Sequence, residues 1–461
     1  MDAIANVATL QRKVVTHHAG RADAYQYFNV LTGAELLDSV EAALPVHRER
    51  LFPPTETLSM FLAQALNDDR SCQAAVNSAA AQRVMGGLPR CSTHTGAYCR
   101  ARQRLPVEMV RSLTRTTGRW IDRQVQEEWR WQGRSVRLVD GTTVTFPDTP
   151  ANQQAYPQQG GQAVGVGFPI ARLVGITCLS SGALLNAAMG RFQGKGGNEQ
   201  ALLRSLVETF DRGDVLLGDA LYATWFLLAD LQARGVDVLF EQNGARRRTT
   251  DFRTGRRLGS RDHLITLDKP KCCPEWMDST QYAALPDTIT VRELKAGGRV
   301  LVTSLVCPEG APKSALKELY KRRWHIELDL RGIKTTLGMQ TLTCKTPEMV
   351  EKELWVYLLA YNLIRMLMMY SARAADVLPR TLSFRHTIQL WLAWTRYIPS
   401  SNEMELSYLG ALIAEKRVGN RPGRIEPRAV KRRPKQMPLL TKPRAEARRA
   451  VQRNGHPRKP K

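Results

Sequence analysis

Apolar positions along the 461-residue chain change texture near residue 135. From Thr55 to Trp131 they recur at helical spacing. Leu58, Phe61, Leu62 and Leu66 form an amphipathic stripe, resumed after a polar break by Cys72, Ala75, Val76 and Ala79. A glycine turn at residues 86–89 follows. Ser92 is placed to start a helix that carries Arg100, Arg102 and Arg104. Helix, turn and arginine-bearing helix suit a helix-turn-helix DNA reader, and equally a bundle with a solvated basic face. Residues 1–50 lack periodicity and predict only helix and loop.

From Ser135 onward strands alternate with helices. Ser135–Val139 runs into Asp140, and Thr142–Phe146 follows as a continuation or a second short strand. A Pro/Gly/Gln-rich loop occupies Pro147–Phe168. Ala171–Leu179 and Ala183–Phe192 read as a hairpin, and Asn198–Phe210 as a helix capped by Asn198, with Glu199 in its first turn. Asp214–Gly218 is an apolar strand that delivers Asp219; Ala223–Arg234 and Val236–Phe240 add a helix and a strand. This alternation predicts an α/β layer architecture. Residues 243–309 interrupt it with a basic, β-rich insertion: Arg246–Arg248, Arg256 and Arg257, then strands at Leu264–Leu267, Thr288–Leu294 and Val300–Cys307. A long helix is expected from Pro312 through Leu330, with others over Pro347–Arg373 and 385–397.

Composition narrows the class. An apolar share of 43% excludes a chain disordered throughout. The best membrane candidate, Leu354–Tyr370, is broken by Asn362 and Arg365, and the N-terminus has no basic start leading into an apolar run. The expectation is a cytoplasmic protein without a membrane partner. Charge adds more: 67 Lys and Arg against 43 Asp and Glu give a net of +24, and Lys416–Lys461 alone holds 17 basic and 2 acidic residues. Such a balance points to nucleic acid, and the tail has too little apolar surface to order itself in isolation. The eight cysteines include no Cys-x-x-Cys pair, and Cys91, His94 and Cys99 lack a fourth zinc ligand, so reduced, buried thiols are expected.

Three acidic residues carry the candidate chemistry. Asp140 and Asp219 each follow an apolar strand, where α/β sheets place active sites at their C-terminal edge. The third lies in the segment Tyr320–Lys334. At about 100° per residue, Arg323, Glu327 and Lys334 fall near about 300°, 340° and 320° from Tyr320, one narrow stripe, whereas Asp329 falls on the opposite face. Gly332 weakens that register by about 1 kcal/mol of helix propensity. Asp148, Asp211 and Asp214 read as solvated turn residues, and the glycines at 165–167 and 194–197 match neither a dinucleotide fingerprint nor a P-loop.

The spacing Tyr320-x2-Arg323-x3-Glu327-x6-Lys334 resembles the signature of bacterial insertion-sequence transposases of family four, which have a DDE catalytic core. Gly332–Met339, Lys352–Arg365, Val139–Thr142 and Gly218–Tyr222 are similar to other motifs of that family, and the likeness spans roughly residues 50–440. It implies a ribonuclease-H-like core interrupted by the β-rich insertion, with Asp140, Asp219 and Glu327 as catalytic metal ligands for two Mg²⁺ ions, Mn²⁺ substituting. It further implies that Arg323 and Lys334 hold phosphates and that Tyr320 contacts the DNA backbone. Cut-and-paste transposition through a hairpin, terminal inverted repeats and target DNA as partners, and a homodimeric synaptic complex complete the implied picture. Relatives stack a flipped base on a tryptophan of the insertion, for which Trp276 is the candidate. The alternative is a degenerate or repurposed DNA-binding protein without catalysis. The expected organisation is a helical, DNA-binding region at 1–134, core at 135–242, insertion at 243–309, core with the Glu helix at 310–415, and a basic flexible tail at 416–461.

Overall fold

The computed structural model describes residues 51–85, 87, 89–194, 196–397, 403–418 and 440–455. The expectations for residues 1–50 and for most of the tail lie outside these. Among the described residues four helices come first: α1 (Pro54–Leu66), α2 (Cys72–Met85), α3 (Gly96–Arg104) and α4 (Val107–Arg123). Then follow β1 (Val136–Thr145), α5 (Pro150–Ala155), β2 (Ile170–Cys178), β3 (Leu184–Arg191), α6 (Glu199–Arg204), β4 (Val215–Gly218), α7 (Trp225–Ala233) and β5 (Asp237–Glu241). The insertion supplies α8 (Gly244–Thr249), β6 (Arg256–Gly259), β7 (Asp262–Asp268), α9 (Ser279–Ala284), β8 (Thr288–Ala296) and β9 (Arg299–Thr303). The chain closes with α10 (Lys313–Lys321), α11 (His325–Arg331), α12 (Pro347–Ala374), α13 (Phe384–Tyr397), α14 (Glu403–Glu415) and α15 (Arg444–Asn454).

All nine strands join one sheet in the order β3-β2-β1-β4-β5-β9-β8-β7-β6. β1, β4 and β5 run parallel, while β2 and β3 are antiparallel neighbours. The insertion therefore does not form a separate sheet. β9 pairs antiparallel with β5 and extends the same layer. Arg292, buried on β8, donates to Asp262 at 2.8 and 2.7 Å and to the Ala311 carbonyl ahead of α10, which ties the extension to the helical layer.

Alternation along β1 and β4 distributes the core to both faces. Leu138 and Leu217 pack with Leu316, Tyr320, Ile326 and Leu330 of α10 and α11. Val139 and Leu216 pack on the other face with Leu202, Leu203 and Tyr222. Helix α12 is long and apolar enough to span a bilayer, yet 94% of its apolar window is buried inside the protein. Its residues Leu354–Ala372 form the largest core, against α1, α4 and β3.

Several expectations are corrected by these contacts. Asp140 does not end a strand but sits in the middle of the unbroken ten-residue β1, which the β2 pairing carries past it. Asp214 is not solvated: it is buried and accepts from Arg137 Nε at 2.9 Å, while Arg137 also reaches Asp122 at 2.6 Å. The helix predicted from Pro312 through Leu330 is broken by a 3-10 turn at Arg322–Trp324, and a π-helical turn follows at Gly332–Thr336. The first of the Asn198–Phe210 turns is helical, capped by Asn198, but a 3-10 turn replaces the rest. Only Cys178 and Cys344 are buried thiols, whereas Cys272, Cys273 and Cys307 are exposed.

In the helix-turn-helix candidate the third helix begins at Gly96 rather than Ser92. Its arginines divide. Arg100 and Arg104 are exposed, but Arg102 is buried, with its guanidinium 3.9 Å from the Phe61 ring centre and within 2.9 Å of both Cys72 Sγ and Cys344 Sγ.

Candidate active site

Asp140 lies within β1, and Asp219 directly follows β4, the parallel strand beside it. The register Leu138↔Leu217, continued by two residues, sets Asp140 beside Asp219. Asp219 is the first residue beyond β4, and its Oδ1 accepts the Leu221 N–H at 2.8 Å, which holds the turn that follows the strand. Asp140 accepts its neighbour Gly141 N–H at 2.8 Å. Burial pushes the Asp140 carboxyl up to about 6; the Gly141 N–H and Arg323 oppose that shift, and Asp219 and Glu199 reinforce it.

Glu327 lies in the first turn of α11, about a third exposed. Arg323, on the 3-10 turn that precedes it, donates from Nη2 to Glu327 Oε1 at 2.9 Å and places Nη1 3.8 Å from Asp140 Oδ2. This guanidinium thus bridges the strand carboxylate and the helix carboxylate. Lys334, on the π turn, donates to Thr142 Oγ1 at 2.9 Å, two residues beyond Asp140. Burial lowers the affinity of its amine for a proton. The chain leaving the π turn hydrogen bonds beside the end of β1, Leu342 N to Thr145 O at 3.1 Å, so the Lys334 segment is fixed to the strand that carries Asp140. Tyr320 is turned inward, 7% exposed, and its hydroxyl reaches the Gly218 carbonyl at 3.4 Å, next to Asp219; burial pushes its phenol up to about 12. All four stripe residues therefore touch β1, β4 or one another.

Asp329 separates cleanly from this group. It is fully enclosed and accepts from Arg365, from two nitrogens of Arg380 and from the Thr177 hydroxyl, all within 3.0 Å. It is a structural anchor.

A further carboxylate, marked in the sequence only as a first-turn acid of its helix, lies nearby. Glu199 Oε2 accepts from the Tyr222 hydroxyl at 3.3 Å, and Oε1 lies 3.7 Å from Arg172 Nε. Only the bare glycine after Asp140 hinted at it, since a Cβ on Gly141 would meet the Glu199 Cδ at 2.2 Å. Trp276 is 48% exposed; its ring meets Phe226 edge-on at 5.8 Å, and Arg204 covers one face at 3.8 Å.

Among the described residues no group of three or more His, Cys, Asp or Glu side chains converges closely enough to hold a metal ion. Asp140 and Glu327 instead share Arg323. In donor type and charge the residues nevertheless fit a hard divalent cation: all the donors are carboxylate oxygens. Asp140 also lies within electrostatic reach of two further carboxylates, Asp219 and Glu199, with one arginine near it, a surplus of negative charge that a cation offsets.

Residues 131–363, spanning β1 through most of α12, match the family described as Transposase DDE domain. The chain is 30% identical over 370 residues to the transposase InsG for insertion sequence element IS4 of Escherichia coli K12, covering 75% of this chain and 78% of that protein. A cryo-EM structure of the piggyBac transposase synaptic complex with hairpin DNA superposes over 87% of both chains, at a TM-score of 0.41 and 10% identity, too distant to bear on the argument. On the family match and the extent of this identity, the chain belongs to the DDE transposases, of the IS4 type.

Proposed function

We propose that Asp140, Asp219 and Glu327 are the acidic trio of a ribonuclease-H-like core that cuts and rejoins the ends of its own insertion sequence. The observation that carries this reading is the alignment of Asp140 with Asp219 on neighbouring parallel strands, with Arg323 joining Asp140 to Glu327. The strand order β3-β2-β1-β4-β5, with β2 reversed against a parallel trio, supports the core assignment.

Asp140, Asp219 and Glu327 would hold two Mg²⁺ ions, whose chemistry is activation of the attacking hydroxyl and charge relief on the leaving oxygen. The chain's own groups do the rest. Arg323, released from the carboxylates it bridges, presents a planar fork to a phosphate. Lys334, less ready to hold its proton because of its burial, supplies a point charge on the Thr142 side. Tyr320 supports the Gly218 carbonyl and so the turn that carries Asp219, with only its rim free to meet a DNA backbone. The substrate is a duplex bearing the element's terminal inverted repeats, and then target DNA, handled by cut-and-paste through a hairpin in a homodimeric synaptic complex.

Glu327→Gln tests the assignment. On labelled duplexes carrying the element's ends, cleavage in Mg²⁺ should fall by about 10²-fold or more while gel-shift binding persists. Full cleavage by that variant would remove Glu327 from the chemistry.

A further inference from the structure

Glu199 sits behind the two aspartates. Asp140 meets Arg323 on the face of β1 packed by α10 and α11. The next residue, Gly141, faces the other way and receives the Glu199 carboxylate so closely that no side chain fits: a Cβ there would lie 2.4 and 2.6 Å from its two oxygens. Gly218, just before Asp219, is matched in the same manner by Tyr222, whose Cδ2 would lie 2.9 Å from an added Cβ. The Tyr222 hydroxyl is the group that donates to Glu199. Each aspartate therefore has a glycine neighbour, each glycine is filled from behind, and the two fillers are hydrogen bonded to each other. Arg172, 3.7 Å away, is the nearby counter-charge, and it is also held by the Gly197 carbonyl and the Phe192 ring.

We propose that Glu199 is a positioning residue for the acidic site: through Gly141 and Tyr222 it fixes the spacing of Asp140 and Asp219, and it adds a negative charge beneath them that strengthens the grip on a divalent cation. It is not a ligand, because it approaches β1 from the face opposite Arg323 and Glu327. The inference rests on the reading that Asp140 and Asp219 hold that cation.

The test is Mn²⁺ binding to the full chain without DNA, followed by calorimetry and by the loss of the free-ion electron paramagnetic resonance signal. Glu199→Gln keeps the shape and an acceptor for Tyr222 but removes the charge. It should bind Mn²⁺ about three- to tenfold more weakly, the range expected for one charge acting across a partly screened interior. In cleavage assays it should raise the Mg²⁺ concentration needed for half-maximal rate and leave the rate at saturating Mg²⁺ near that of wild type. Tyr222→Phe keeps the charge and cuts the link; it should weaken Mn²⁺ binding by a smaller factor. Asp140→Asn is the control. If Asp140→Asn weakens binding and Glu199→Gln leaves it unchanged, the role of Glu199 falls and the site stands. If Asp140→Asn also binds as wild type does, the reading of the site itself falls. Should Glu199→Gln not fold, unchanged Mn²⁺ binding by Tyr222→Phe would overturn the positioning role.

Discussion

Asp329 Oδ1 accepts from Arg365 Nη2 at 2.7 Å, a buried ion pair between α11 and α12 only two residues from the partly exposed Glu327. The same short helix thus carries one carboxylate at the candidate site and one buried in ion pairs. Removing Asp329 leaves Arg365 and Arg380 buried without their acceptor. Asp329→Asn should cost about 3–5 kcal/mol of unfolding free energy in urea titrations. Glu327→Gln should cost under about 1 kcal/mol, because its partner is a partly exposed i,i+4 arginine.

The half-buried Asp140 carboxyl gives the metal-free protein a signed pH dependence. Its carboxyl titrates near 6, above the ordinary 3.8, so the folded state binds more protons between those values. Its contribution to stability is complete below the unfolded value and is lost as pH rises through about 6. Asp140→Asn should therefore raise the melting temperature of the metal-free protein at pH 8, by up to about 3 kcal/mol in free energy, and leave it near wild type at pH 4. Thermal scans at both pH values, with chelator present, decide it.

Arginines on α3 separate by burial. Arg100→Ala and Arg104→Ala should weaken DNA binding and flatten its salt dependence while the melting temperature stays within a degree or two. Arg102→Ala, which empties the space between Phe61, Cys72 and Cys344, should unfold at lower temperature, by about 2–4 kcal/mol.

The basic tail offers a salt-based test. Its described parts are 416–418 and 440–455, the latter including α15, with Arg444 3.7 Å from Asp148 and Pro443 packed against Gly165. Removing residues 416–461, with their 17 basic residues, should lower non-specific affinity and reduce the slope of log K against log salt. Filter binding across a salt series reads both quantities.

Much of this was legible in the sequence because it is local. The hairpin β2–β3, the strand before Asp219, the stripe Tyr320–Lys334 and helix α12 depend on periodicity and caps within a few turns of chain. What escaped depends on partners far away. Asp214 reads as a polar turn residue until Arg137 comes alongside it, and Arg102 reads as surface until Cys344 closes over it. Glu199 matters only because Gly141 lies against it, a contact between elements 58 positions apart in the chain. The 3-10 and π turns around α11 are likewise set by packing on β1, which no wheel of about 100° steps contains.

The pairing of β9 with β5 also bears on any attempt to pare the chain down to a minimal nuclease. Excising residues 243–309 would strip β5 of its hydrogen-bonded neighbour and leave Leu239 and Phe240, now buried, on an open border with unpaired amides and carbonyls. Such a border recruits other chains edge to edge. A trimmed version would therefore precipitate before its chemistry was measured, which explains in physical terms why the appended strands are inseparable from the strands that carry the aspartates.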